Sequence, residues 1–187
     1  MADWYDHIDD ERRAFIERQH LFFVATAPTQ PDDGYANLSP KGRNLLRVLD
    51  PKLVGYLDYP GSGNETARHT GDGGPITIML TSFDATAGTL RLYGRGRAVD
   101  LDHSDLRRHR DAFKDDLHPY VRQAIFVDVE KVQTSCGYSI PRMSYVSERE
   151  TLDKWCERKL EPREMVDGMP QPGELRTKAT GAPAQVP

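Results

Sequence analysis

The chain is organised around residues 54–69, which read Val54-Gly-Tyr-Leu-Asp-Tyr-Pro-Gly-Ser-Gly-Asn-Glu-Thr-Ala-Arg-His69. The apolar start predicts a buried strand, the Pro and Gly residues predict a turn, and the end predicts a short helix. Ser62 and Glu65 have the spacing of a capping box, in which each side chain bonds the backbone N–H of the other residue. Gly61 and Gly63 would let a ligand approach the backbone closely. The pattern therefore predicts either a seat for a phosphate or a helix start that binds nothing.

A second candidate anion seat, Ser39-Pro-Lys-Gly42, follows the predicted strand Tyr35–Leu38. Pro40 is expected to end strand pairing here because it has no N–H to donate. Lys41 would supply positive charge, and Gly42 would give access to the backbone. The alternative is an exposed turn with a solvated lysine. The two seats follow strands that we expect to be neighbours, so they are predicted to converge on one phosphate.

The composition is that of a single globular domain, and it does not indicate a nucleic-acid or membrane partner. The 187 residues carry a net charge of −4, which argues against a nucleic-acid-binding protein. The acidic start does not resemble a signal peptide, and we expect no membrane span. Two cysteines without a CxxC motif favour a reducing, cytoplasmic compartment and no metal site. We expect one domain at residues 1–160 and a flexible Pro/Gly-rich tail at residues 161–187.

The remaining pattern is dominated by strands in hairpin order. Apolar or alternating runs predict six of them, with short helices at the start, middle and end of the chain. The predicted strands are Leu21–Ala27, Tyr35–Leu38, Leu53–Asp58, Ile76–Phe83, Thr89–Ala98 and Ala124–Val129. The fold class that we expect is therefore mainly β, a small six-stranded antiparallel barrel with flanking helices.

Three arginines share one face of the strand Thr89–Ala98, where Arg91, Arg95 and Arg97 alternate with small or apolar residues. They form either a cationic wall for a phosphate or carboxylate, or a solvated face with salt bridges to acidic neighbours.

After the last strand, Cys136 and Tyr138 invite a redox interpretation, with a small buried thiol beside a packed ring as the alternative.

The order of three segments resembles the pyridoxamine 5′-phosphate oxidase-like family of split-barrel flavoproteins, over about residues 5–145. These segments are Asn37-Leu-Ser-Pro-Lys41, Gly61-Ser-Gly-Asn-Glu-Thr66 and Arg91-Leu-Tyr-Gly-Arg-Gly96. Within the superfamily, the segment Cys136-Gly-Tyr-Ser-Ile-Pro141 is typical of a flavin-nucleotide-binding branch.

The resemblance implies an FMN-binding split-barrel homodimer with one cofactor at each subunit interface. By position, Lys41, Ser62 and Asn64 match phosphate-binding sites, and the residues from Asn37 to Ser39 would lie along the flavin ring. Arg91 and Arg95 would reach the cofactor of the partner subunit. The full set of cofactor-binding residues implied in this way is Asn37, Leu38, Ser39, Lys41, Ser62, Gly63, Asn64, Thr66, Arg91 and Arg95.

The expected function is an FMN-dependent oxidoreductase that acts on an unidentified small molecule by hydride transfer through the flavin. Oxidation of pyridoxamine phosphate itself is not expected. The chain has Ser62-Gly-Asn64 where the oxidases carry Ser-Arg-Lys, and it lacks their Arg and His pair after Ser135. The alternatives are an F420-dependent reductase, or a non-catalytic flavin or haem protein with His69 or His20 as the haem ligand. No side chain is nominated as catalytic.

Overall fold

The computed structural model describes residues 2–29, 34–61, 63–71 and 73–184 of the chain. Within these ranges the chain forms ten strands and five helices. In chain order they are β1 Asp3–Tyr5, α1 Asp10–Glu17, β2 Phe22–Thr26, β3 Asn37–Lys41, β4 Arg47–Asp50, β5 Leu53–Asp58, α2 Glu65–Thr70, β6 Pro75–Thr81, β7 Thr89–Val99, α3 Ser104–Arg108, α4 Arg110–Phe113, β8 Gln123–Ser135, α5 Thr151–Lys159, β9 Met165–Val166 and β10 Met169–Pro170.

Eight of the strands form one antiparallel sheet. Seven follow the order β3-β2-β6-β7-β8-β5-β4, and β1 pairs with the C-terminal end of β8. The predicted class, a mainly β antiparallel barrel, is confirmed, and all six predicted strands are present. The count of six is wrong because β1 and β4 add two strands of only three and four residues. Among the described residues β3 and β4 do not pair with each other, so the barrel is split between them.

Pro40 does not end the pairing of its strand, contrary to the sequence-based expectation. Strand β3 continues to Lys41, with Phe23 of β2 opposite Pro40 and Phe22 opposite Lys41. This is possible because β3 is the edge strand of the sheet. On an edge strand, the backbone nitrogen of a proline can point away from the neighbouring strand, so no hydrogen bond of the ladder is lost. The consequence is that Lys41 is held at a defined position at the end of a strand.

Strand β8 separates two apolar clusters through its alternation of side chains. Ile125, Val127 and Val129 pack with residues of β2, β5, β6 and β7 inside the barrel. Ala124 and Phe126 face the opposite way and pack under α3 and α4, against side chains such as Phe113. The start of β8 pairs with the end of β5, and this pairing joins the two strands where the candidate site lies.

The C-terminal part of the chain returns to the barrel after an exposed stretch at residues 141–150. The short helix predicted at the end of the chain is confirmed as α5, whose N-cap Glu150 makes no side-chain hydrogen bond. Cys156 and Leu160 pack with Tyr120 and Leu175 in a third apolar cluster. The flexibility expected for residues 161–187 stays a prediction, but the described part of this segment lies against the domain.

Gly94 allows β7 and β8 to approach at a bulge that shifts their register between Tyr93 and Gly94. A Cβ at Gly94 would lie 2.0 Å from the backbone oxygen of Asp128, so the backbone would have to move. We expect Gly94→Ala to lower the free energy of unfolding by about 1–3 kcal/mol, measured by urea titration. Gly61→Ala is the control because its nearest neighbouring atom would lie 4.0 Å away. Equal losses in both variants would contradict this account.

Candidate functional site

A cavity of about 390 Å³ opens where the ends of β3 and β5 meet the residues before α2 and the start of β8. Its volume is within the range of pockets that hold small molecules and cofactors. Seven of the ten residues predicted to bind a cofactor line it, namely Asn37, Leu38, Ser39, Lys41, Gly63, Asn64 and Thr66. The two segments interpreted as anion seats therefore face one space.

The other three predicted residues are placed differently. Ser62 lies outside the described residues. Arg91 and Arg95 lie on β7 and do not line the cavity. Arg91 donates to the hydroxyl of Ser135 at 3.2 Å, and Arg95 pairs with Glu130 at 3.3 Å on an exposed face. In this chain the two arginines therefore belong to a face with polar and ionic contacts of its own, and their contribution to the cofactor site of a partner subunit stays a prediction.

The two segments converge, as the sequence predicts, but their strands β3 and β5 are not neighbours in the sheet, contrary to the sequence-based expectation. Strand β3 is at one end of the sheet order and β5 is second from the other end. They meet because the curved sheet brings its two ends together at the split. The ammonium of Lys41 lies 3.5 Å from the Oδ1 atom of Asp58, at the end of β5.

Asp58 is the most heavily bonded side chain of the site, and only 5% of its surface is exposed. Its Oδ2 atom accepts hydrogen bonds from Nε and Nη2 of Arg122 at 3.0 and 2.6 Å. The same oxygen accepts a third bond, from Nε2 of Gln123 at 2.9 Å. A buried carboxylate is stable only when it is paired in this way.

Arg122, which directly precedes β8, and Gln123, the first residue of β8, also hold the loop before α2. Arg122 donates from Nη2 to the carbonyl of Gly63 at 3.1 Å, and Gln123 donates to Oδ1 of Asn64 at 2.9 Å. The pairing of Asp58 opposite Gln123 in the sheet places both donors beside this loop. The loop is thus fixed by side chains that are themselves fixed by Asp58.

Helix α2 contributes less to the site than the sequence predicted. It begins at Glu65, and its N-cap is Asn64, whose side chain makes no capping hydrogen bond. Glu65 is thus the first residue of α2 and not the third, as the predicted capping box requires, and Ser62, the other member of the box, lies outside the described residues. A helix of six residues has few aligned peptide dipoles. Positive charge in the cavity must come mainly from side chains.

Lys41 is the cation that is best placed to meet a ligand. Its ammonium lies near Asp58 but donates no hydrogen bond in the part of the chain that the structure describes. A quarter of the Lys41 side chain is exposed. Arg122 is committed through Nε and Nη2. Glu65 adds a second carboxylate to the lining and pairs with Arg68. The cavity is therefore close to neutral before a ligand binds.

A network of polar side chains in and behind the cavity wall joins β2, β3 and α2. Asn37 donates to the hydroxyl of Thr66 at 3.2 Å, and the hydroxyl of Thr26 lies 3.0 Å from Nδ1 of His69. His69 is only 8% exposed and does not line the cavity, so nothing in this arrangement favours it as a haem ligand. The other histidine considered for haem, His20, stacks on the ring of Tyr145.

Tyr59 forms part of the wall and stays protonated at neutral pH. Burial raises the pKa of its hydroxyl to about 12. The hydroxyl donates to the carbonyl of Asp116 at 2.5 Å. Tyr59 therefore provides a neutral aromatic surface and not a general base.

Sequence reasoning missed Asp58, Tyr59, Glu65 and Arg122 as lining residues. A signal was present for Asp58, because a carboxylate ends the apolar run of β5. None was present for Arg122, since its role depends on pairing with a strand about 60 residues earlier.

Cys136 is exposed, and so is Tyr138, so the interpretation as a buried thiol beside a packed ring is wrong. The buried thiol is Cys156, whose pKa is raised by burial to about 11. In the described ranges, no group of three or more His, Cys, Asp or Glu side chains could hold a metal ion. Nor does any described helix have the length and apolar character needed to cross a membrane.

No family model matches the chain. It is 34% identical over 153 residues to the pyridoxamine 5′-phosphate oxidase family protein ustO of Aspergillus flavus. This match covers 81% of the chain and 61% of ustO, so the chain spans less than two thirds of that relative's length.

Solved structures show the same fold at low sequence identity. HupZ from Group A Streptococcus has a TM-score of 0.53 and 19% identity, over 67% of this chain and 91% of that one. A protein provisionally named a pyridoxamine 5′-phosphate oxidase, from Lactobacillus delbrueckii, has a TM-score of 0.50 and 17% identity, over 68% of this chain and 94% of its own.

Proposed function

We propose that the chain, which is similar over 153 residues to a pyridoxamine 5′-phosphate oxidase family protein, is a member of that family and an FMN-dependent oxidoreductase acting on a small-molecule substrate. The observation that supports this most is the convergence of two distant segments, at residues 37–41 and 63–66, on one cavity. A shared wall of this kind suits a ligand with a phosphate at one end and a flat ring system at the other.

The donors and surfaces of the cavity suit FMN. Lys41 supplies an ammonium for the phosphate, and the side chains of Asn64 and Thr66 supply neutral polar groups beside it. Leu38 and Tyr59 supply apolar surface along the same wall. The cavity thus combines the ammonium of Lys41 with polar and apolar walls, as an amphipathic cofactor requires.

The division of work between protein and cofactor follows from this lining. When bound, the flavin would supply hydride transfer. The residues of the chain would hold its phosphate at Lys41 and orient its ring along residues 37–39. Since Tyr59 is protonated and Asp58 is fully paired, we propose no side-chain base for the reaction.

A homodimer with the cofactor at the subunit interface is part of this proposal. Support comes from the outer face of β7, where Arg91 and Arg95 lie beside Tyr93. The ring of Trp4 stacks on Tyr93 at 5.6 Å and is 57% exposed. Exposed aromatic and arginine side chains are enriched at protein interfaces. The cytoplasmic location predicted from the sequence also stays part of the proposal.

The test is to purify the protein and record its absorbance, then to titrate it with FMN, F420 and haem. We expect a flavin spectrum or saturable FMN binding, and weaker or absent binding of the other two. Reduction of the bound flavin by a nicotinamide would support turnover, whereas flavin that no reductant reaches would indicate a storage protein. Tight F420 binding without FMN binding, or a Soret band, would replace the proposal with the corresponding alternative.

A further inference from the structure

The C-terminal segment at residues 151–177 contacts the chain beside both cations of the cavity. We call it the C-terminal clamp. It includes α5 and the hairpin of β9 and β10, and it ends where Leu160 bridges to Thr177. Cys156, Leu160 and Leu175 anchor it in an apolar cluster with Tyr120, two residues before Arg122. The clamp is therefore packed against the barrel close to the site, without lining the cavity itself.

The first hold of the clamp is an ion pair between Asp153 of α5 and Arg43, two residues after Lys41. Arg43 and Asn44 both have left-handed backbone angles, with φ of 66° and 48°. Such conformations are unfavourable for a side chain like that of arginine and persist when surrounding contacts require them. The Arg43 guanidinium also lies 5.1 Å from the ring centroid of Tyr59, which is part of the cavity wall. The pair therefore fixes the chain that leaves Lys41.

The second hold is Arg163, which follows α5. Its guanidinium donates to the carbonyl of Val121, and its backbone N–H donates to the carbonyl of Pro119 at 3.3 Å. These residues come shortly before Arg122, which pairs with Asp58. A further bond from the guanidinium to the carbonyl of Gly173 ties the two parts of the clamp together. The clamp therefore fixes the chain that enters β8.

We propose that the C-terminal clamp is a positioning element of the cavity, so that docking of the clamp and binding of a phosphate-bearing ligand stabilise each other. One element holds the backbone beside both cations, Lys41 and Arg122, which lie on opposite sides of the split in the barrel. The ligand named for this coupling, FMN, rests on the proposed function. The coupling is reciprocal, because a segment that raises ligand affinity must itself be stabilised by the ligand to the same degree.

The first experiment needs no ligand. Hydrogen exchange is compared between the unaltered protein and Asp153→Asn, which removes the charge but keeps the shape. We expect faster exchange at residues 41–45 and in α5 of the variant. Glu150→Gln is the matched control, since Glu150 pairs with Lys154 in an exposed position near the same helix. Asp153→Glu, which keeps the charge, should restore slow exchange. Unchanged exchange at residues 41–45 in Asp153→Asn would overturn the clamp.

The second experiment measures the coupling with FMN. We expect Asp153→Asn and Arg163→Gln to weaken FMN binding by about 5- to 20-fold, within the usual range of coupling between sites. Glu150→Gln should leave it unchanged. In the unaltered protein, FMN should slow hydrogen exchange in α5, which a merely structural helix would not show. FMN binding with no effect on α5 and equal affinity in all variants would overturn the coupling.

The two proposals fail in different ways. If the unaltered protein does not bind FMN, the proposed function is wrong, and the exchange measured without ligand still decides whether the clamp holds residues 41–45. If FMN binds and the clamp variants behave like Glu150→Gln, the function stands and the clamp is wrong.

Discussion

Asp58→Ala is expected to lower the free energy of unfolding by about 2–4 kcal/mol. The substitution removes the carboxylate that accepts three hydrogen bonds from Arg122 and Gln123. It leaves the guanidinium of Arg122 without its partner in a site where only 23% of that side chain is exposed. Because this fraction can be rehydrated, the loss should fall below the largest values seen for wholly buried pairs. Urea titration of both proteins gives the difference.

Asp128→Ala is the matched control for this prediction. Asp128 also pairs with an arginine, Arg97, but 63% of its side chain is exposed. Exposed pairs of this kind contribute about 0–1 kcal/mol. Adding Arg122→Met to Asp58→Ala should recover part of the lost stability, because the unpaired guanidinium is then removed. A loss for Asp58→Ala no larger than that for Asp128→Ala would show that the network around Asp58 is not a stabilising unit.

The strands were predictable from the sequence because their apolar alternation is local. The runs that became β2, β5, β6 and β7 each contain their own evidence, in apolar positions and flanking turn residues. The strands β1 and β4 were missed because three or four residues are too few to show a period. They form because β1 pairs with β8 and β4 pairs with β5, so their own residues do not suffice to predict them.

Many residues of the candidate site could be predicted from the sequence, but their arrangement in space could not. Lys41, Asn64 and Thr66 stand out in the sequence because they belong to polar segments with Gly or Pro that come after predicted strands. Their convergence was expected for a wrong reason, since β3 and β5 are not neighbours. The contact depends on curvature of the whole sheet, which no single segment specifies. The same holds for Arg122, whose place is set by the register of two strands far apart in sequence.

The geometry also changes which interaction should bind an anion. The sequence pointed to a capped helix start, but α2 has six residues and no side-chain cap. The structure instead offers two cations, Arg122 and Lys41. Asp58 pairs closely with Arg122, whereas its contact with the ammonium of Lys41 is longer, at 3.5 Å. A phosphate can therefore bind Lys41 without breaking the bonds of Arg122 that hold the loop. This makes Lys41 the side chain on which phosphate affinity should depend most.

Lys41→Met is accordingly expected to weaken FMN binding by about 10- to 100-fold, the range for losing one charge-assisted hydrogen bond. Methionine keeps the apolar stem of the side chain, so the strand end should keep its packing. Asp58 retains its bonds from Arg122 and Gln123, so stability should change little. Fluorescence titration with FMN measures the affinity, and urea titration checks the fold.

Riboflavin separates the phosphate contact from every other contact, because it has the same ring and no phosphate. Lys41→Met should bind riboflavin almost as well as the unaltered protein does, while losing most of its affinity for FMN. Lys52→Met is the control, since Lys52 is an exposed lysine in the turn before β5 and lines no part of the cavity. Equal losses for riboflavin and FMN would mean that Lys41 supports the ring and not the phosphate. Undiminished FMN binding would remove Lys41 from the site altogether, and with it the reason to expect a phosphate between β3 and β5.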